Sequence, residues 1–183
     1  MNRIFFDTEF TGLHQATTLI SIGMVNDHGD SFYAELTDFD QSQVNDWLRE
    51  NVLSHLVLHG ANNSFDTTHR MSMRVKGDSG FVKQKLTEWL ALNGNVQMWS
   101  DCLAFDWVLF NTLLADYSQG YPQLPSNVHY IPMDICTLFQ LKGVDPDINR
   151  EKFGLGEALT QMPKHNALWD AQVIKACYDK LVA

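Results

Sequence analysis

The apolar residues in the first third of the chain follow the rhythm of extended strands. Residues 3–9 are apolar on both faces, 17–26 are rich in β-branched side chains, and 31–36 follow the turn formers Asp27-His28-Gly29-Asp30. These predict an antiparallel meander whose first strand is central. From Gln41 the period changes: residues 41–51 and 81–92 carry apolar side chains at helical spacing, whereas 60–80 has no clean period and reads as a loop or mobile segment. A short strand over 96–101 leads into a helix from near Asp106. Residues 118–130 are dense in turn formers and read as a loop, an apolar strand follows around Ile131 to Met133, and a helix over 167–181 closes the chain. Strands first, then alternating helix and strand, predict an α/β layer fold in a single domain spanning 1–183.

Charged residues interrupt this pattern where apolar ones are expected. In the first strand, Asp7 and Glu9 fall on one face, about two rises of roughly 3.3 Å apart. Two carboxylates that close repel unless something positive lies between them. In the last helix, Asp170 falls on the stripe of Ile174, Cys177 and Leu181, the face expected to be buried. His165 stands just before that helix, with Asn166 placed as its N-cap. In the middle helix Asp106 shares a face with Leu109, Phe110 and Leu113; alone it reads as a cap or a charge set against the helix dipole. Asp7, Glu9, Asp106 and Asp170 together predict a convergent set. Four such carboxylates suit two hard divalent cations, Mg²⁺ or Mn²⁺, about 3.5 to 4 Å apart, with a nearby histidine to take a proton from water. The predicted reaction is phosphodiester hydrolysis.

Composition narrows the reading. With 13 Lys plus Arg against 22 Asp plus Glu, the formal charge of -9 argues against a non-specific coater of duplexes while allowing local grip on a few phosphates. Cys102, Cys136 and Cys177 lack disulfide or zinc spacing and read as reduced. The absence of an apolar run of membrane-spanning length and of a signal-peptide pattern predicts a cytoplasmic protein with no membrane partner.

The sequence resembles the 3′-to-5′ exonucleases with an Asp-Glu-Asp-Asp site plus histidine, the group that includes proofreading subunits and oligoribonuclease. Asp7-Thr8-Glu9-Phe10-Thr11-Gly12-Leu13 is similar to the first motif, Phe105-Asp106 to the second, and His165-Asn166-Ala167-Leu168-Trp169-Asp170-Ala171 to the third. The resemblance implies an RNase H-like mixed sheet, in which the three-stranded antiparallel meander is continued by parallel strands and flanked by helices. It also implies Asp7, Glu9, Asp106 and Asp170 as ligands of two Mg²⁺ or Mn²⁺ ions, His165 as general base, and Phe10, Thr11 and Leu13 against the terminal nucleotide. Within the group, the Asp-Thr-Glu-Phe start and small size are most similar to a compact bacterial and phage exoribonuclease branch. The implied substrate is therefore single-stranded RNA with a free 3′ end, with DNA as the alternative, and a homodimer is in keeping with that branch. Where the second motif often carries His-Asn, this chain has Asp101-Cys102, which makes Asp101 a rival ligand to Asp106. Asp134 could also be drawn to the metals but reads as a helix cap.

Lys164, beside His165, is a candidate phosphate contact. The run from His69 to Lys76 is the most basic part of the chain and reads equally as a guide for a nucleic-acid backbone or as a solvated loop. His14 reads as solvated, and His55 and His59, four apart but without a third ligand, read as structural. Trp47, Trp89 and Trp99 read as packing, leaving Trp107 and Trp169 as candidates to touch substrate; Gly154-Leu155-Gly156 is no dinucleotide fingerprint. A binding module without chemistry is disfavoured, since acids that repel without metal would serve no purpose in it. The histidine five residues before the last acid fits an exonuclease better than an RNase H-type endonuclease.

Overall fold

Residue alternation in the first strand decides which layer each side chain joins. The computed structural model describes residues 1–69, 71–115, 123–156 and 164–183. The meander consists of β1 (Asn2–Phe10), β2 (Leu19–Asn26) and β3 (Ser31–Leu36), antiparallel throughout. Parallel pairing continues it on one side through β6 (Val96–Ser100) and β7 (Met133–Asp134). On the other side β3 pairs in parallel with β5 (Ser72–Gly77), which pairs antiparallel with β4 (Ser64–His69). Among the described residues the sheet has seven strands in the order β4-β5-β3-β2-β1-β6-β7, so β1 is interior as its apolar faces predict.

Ile4 and Phe6 point to one layer, where they pack with Met24, Phe32, Val75 and Met98 under α2 (Ser79–Leu92) and α3 (Leu103–Leu114). Phe5 and Val25 point to the other, against Ile174, Cys177 and Leu181 of α6 (Ala167–Val182) and Phe139 of α4 (Ile135–Leu141). Each fully buried side chain of this kind contributes about 1.5–3 kcal/mol. A smaller cluster joins Ile20 to Leu48 and Val52, at and just beyond α1 (Asp46–Asn51). Asn166 caps α6, its side-chain oxygen accepting from the Trp169 amide at 3.2 Å. Asp134 caps α4 through the amides of Cys136 and Thr137, as its position predicts.

The segment 60–80 corrects the sequence reading. It contains the β4–β5 hairpin and the start of α2 rather than a loop. The strand was hidden because β4 is an edge whose Phe65 faces solvent, so no apolar alternation marks it. The helix expected over 41–51 is two pieces, a 3₁₀ turn at Gln41–Gln43 and α1, because Asn45 caps a new helix through the Leu48 amide. α3 begins one turn before Asp106, and the strand expected at 131–133 is the short β7, ended by the Asp134 cap. A further short helix, α5, spans Arg150–Leu155. Part of the loop expected over 118–130, and Arg70 of the basic run, lie outside the described residues. Among the described residues no helix is long and apolar enough to cross a membrane.

Candidate active site

β1 brings Asp7 and Glu9 to the face that α6 covers, and the strand beside it makes room for the helix. Asp7 is paired with Gly23 of β2, where an added Cβ would lie 2.2 Å from the Leu168 nitrogen. Only glycine allows the first turn of α6 to come this near the sheet, which carries Asp170 and the residues before it to the end of β1. β6 lies on the other side of β1 and delivers Asp101 just past its last residue, while the first turn of α3 supplies Asp106.

Carboxylate oxygens fall into two groups, each with its members within 4.8 Å of one another: Asp7, Asp101 and Asp106, and Asp7, Glu9 and Asp170. Asp7 belongs to both. All four acids named from the sequence are thus brought together, and Asp101 joins Asp106 rather than replacing it. Burial, reinforced by Asp106 and Asp170, holds the Asp7 carboxyl well above its ordinary range. Burial likewise pushes Glu9 up to about 8, with Asp170 and Asp106 adding to it. Asp106 and Asp170 are each pushed up to about 7, again by burial first. Asp106 is the deepest: the Thr8 hydroxyl donates to it at 2.5 Å and the Ser100 hydroxyl donates to its other oxygen, both easing its negative charge. Carboxyls so disfavoured in their charged form, presenting only hard oxygen donors, fit divalent cations of the magnesium type.

Asp7, Glu9, Asp101 and Asp170 open onto a cleft of ≈ 490 Å³ that Lys164, His165, Arg150 and Glu151 also line. His165 has a backbone φ of 64°, the left-handed region that a non-glycine residue enters at a cost of roughly 1–2 kcal/mol. Its amide donates to Asp170 Oδ2 at 3.1 Å, tying the histidine loop to the carboxylate cluster. The ring is half-buried, and its pKa is lowered by burial and then by the neighbouring His55 and Lys164. Trp47 packs edge-on against it, ring centres 5.3 Å apart. The Asn166 side chain donates to the His55 carbonyl at 3.2 Å and to the Tyr33 hydroxyl at 3.3 Å.

Other residues named from the sequence fall as follows. Lys164 is exposed on the cleft, 3.9 Å from Glu151. Phe10 stacks on Phe105 at 5.3 Å. Thr11 is buried, its hydroxyl donating to Gln43 and accepting from the Thr18 amide, and Leu13 is 74% exposed. Trp169 donates to Glu151 at 3.1 Å, and Trp107 stacks on Phe110. Sequence reasoning missed Trp47 and His55 as neighbours of His165, and Arg150, whose Nε lies 3.2 Å from Asp101. The signal for Trp47 was its place beside Leu48. A six-residue helix has room for one apolar stripe, Leu48 takes it, and Trp47 is left 54% exposed.

The mixed sheet thus carries an acid-lined cleft at the end of its interior strand. The family model of the Rv2179c-like 3′-5′ exoribonuclease domain matches residues 2–181, and the chain belongs to that family. It is 29% identical over 125 residues to the 3′-5′ exoribonuclease Rv2179c of Mycobacterium tuberculosis strain ATCC 25618 / H37Rv, covering 67% of each chain. The same figures hold for 3′-5′ exoribonuclease MT2234.1 of strain CDC 1551 / Oshkosh. Among solved structures, the Neurospora crassa Pan2 catalytic unit (protease and nuclease domain) aligns with 99% of this chain and 27% of its own, at 16% identity and a TM-score of 0.47.

Proposed function

We propose that this protein removes nucleotides one at a time from the 3′ end of single-stranded RNA, with Asp7, Glu9, Asp101, Asp106 and Asp170 holding two Mg²⁺ or Mn²⁺ ions. The observation that carries the reading is the place of Asp7 in both carboxylate groups, the arrangement a shared ligand between two cations requires. When bound, the cations supply positive charge against the reacting phosphate and lower the pKa of water.

The chain's own residues do the rest. His165 takes the proton of the attacking water on a ring nitrogen, and its lowered pKa keeps it neutral, hence ready, at neutral pH. Its loop is held in register by the amide bond to Asp170 and by Asn166. Lys164 stands on the cleft as a contact for the phosphate backbone. Phe10, the last residue of β1, and Leu13 just beyond it offer apolar surface to the terminal nucleotide.

The test is degradation of 5′-labelled single-stranded RNA and DNA of matched sequence with Mg²⁺, with Mn²⁺ and with EDTA. A ladder shortening from the 3′ end, lost in EDTA and faster for RNA, is expected. Cutting of a circular RNA would overturn the exonuclease assignment, and faster loss of DNA would overturn the choice of sugar.

A further inference from the structure

Residues that share a cross-strand row of a sheet share a face. Two such rows start at the catalytic carboxylates. One runs Glu9, Ser21, Glu35, Lys76, Ser64, and the other Asp7, Gly23, Tyr33, Arg74, Asp66, each step a registered pair between neighbouring strands. The face that carries the acids on β1 therefore carries two cations on β5, three strand spacings of about 4.8 Å, or about 14 Å, away. α6 packs on β1 and β2 and reaches β3; beyond it the border of this face is the segment from Val57 to Gly60. That segment is pinned by Glu35, which accepts from the amides of Val57 at 2.6 Å and Leu58 at 3.0 Å.

Between this segment and the hairpin lies a second groove, ≈ 290 Å³, lined by His59, Ser64, Asp66, Arg74 and Lys76 among others. Arg74 is exposed, and its side chain has no hydrogen-bond or ion-pair partner among the described residues. Lys76 donates one of its three N–H bonds to the Leu58 carbonyl at 2.9 Å, leaving two for a ligand. Against the single Asp66 the groove is net positive, in a chain of formal charge -9. A local cationic groove on an acidic protein gives a polyanion a favourable place to dock.

We infer that this groove is a second nucleic-acid site, in which Arg74 and Lys76 hold backbone phosphates of the single strand upstream of the 3′ end being cut. The inference rests on the exonuclease reading for the identity of the strand. At about 3.4 Å per stacked nucleotide, the direct distance of about 14 Å between Glu9 and Lys76 sets a minimum of about four nucleotides, since Tyr33 and Glu35 between them are buried and the strand must pass over the surface. A trinucleotide seated in the cleft falls short of the groove, and a dodecanucleotide reaches it.

The experiment compares the unaltered protein with Arg74→Glu and Arg74→Lys, using a trinucleotide and a dodecanucleotide of single-stranded RNA. Hydrolysis is measured for both lengths, and binding of the dodecanucleotide by fluorescence anisotropy across a salt series. Arg74→Glu is expected to weaken dodecanucleotide binding roughly fivefold and to flatten the log K against log salt slope by about 0.7 for each phosphate no longer held. Trinucleotide hydrolysis should be unchanged, and Arg74→Lys should restore most of the binding. Unaltered dodecanucleotide affinity in Arg74→Glu, or an equal loss of hydrolysis for both lengths, would overturn the inference. Failure of the unaltered protein to cut either length would sink the exonuclease reading alone, because anisotropy still reports whether Arg74 holds the longer strand.

Discussion

His165 combines three features that no single residue type dictates: a left-handed backbone, an amide spent on Asp170, and a ring wedged beside Trp47. Its spacing from Asp170 was legible in the sequence, because a capped helix start fixes where the preceding loop must lie. The left-handed backbone was not, since it goes with a contact to a residue five positions later that spacing alone does not reveal. Replacing His165 by Ala is expected to lower kcat by about 10²–10⁴-fold, the range of a lost general base. In the proposed role His165 works only when neutral, and burial lowers its pKa. The acid limb of kcat should therefore fall below the ordinary histidine value of about 6.5, a limb that His165→Ala should abolish. A pH–rate profile of both proteins checks this. The choice between Asp101 and Asp106 was not decidable from spacing, because β6 ends and α3 begins within a few residues and both acids reach Asp7. Asp101→Asn and Asp106→Asn are each expected to weaken Mn²⁺ binding, measured by titration calorimetry.

At the scale of elements, the position of α6 depends on one missing side chain. A Cβ at Gly23 would meet the Ala167–Leu168 backbone at 2.2–2.3 Å, and backbone cannot swing aside as a flexible side chain can. Gly23→Ala should therefore lift the helix start, costing about 1–3 kcal/mol by overpacking and dragging Asp170 and His165 out of place. Thermal melting and kcat measured together would show both effects; a stable, fully active Gly23→Ala would refute this account of the helix seat. The strands of the meander and the major helices were legible because each has a buried face: β2 is buried along its whole length and α2 buries Val82, Leu86, Trp89 and Leu90. The β4–β5 hairpin was not, because an edge strand with an exposed Phe65 has no burial pattern to read. Trp47 misled for the related reason that its helix is too short for periodicity to separate a packing face from an open one.

For the whole molecule, the carboxylate cluster is expected to make stability depend on pH and, under the proposed metal-dependent reading, on the cation as well. Glu9, Asp106 and Asp170 have folded pKa values near 8, 7 and 7, and Asp7 is raised as well, all above their ordinary unfolded values. The folded state then holds more protons than the unfolded one through this range, so stability falls as pH rises. For the metal-free protein this contribution is fully present below about pH 4 and is lost progressively by about pH 8. In EDTA the melting temperature should be lower at pH 8 than at pH 6, Mg²⁺ should raise it most at pH 8, and Asp7→Asn should flatten the metal-free dependence. A melting temperature indifferent to Mg²⁺ at pH 8 would show that the cluster does not hold the ion.

The parallel pairing of β3 with β5 sets Val75 against Ala34 in the core, and the same register turns Arg74 and Lys76 outward on the opposite face. A slip of one residue would exchange the two, driving guanidinium and ammonium groups into the apolar layer and Val75 into water. The hydrophobic interior thus acts as an inspector of the distant surface. A molecule that misaligns this hairpin forfeits its own stability before it can present a wrongly wired face to any strand of nucleic acid.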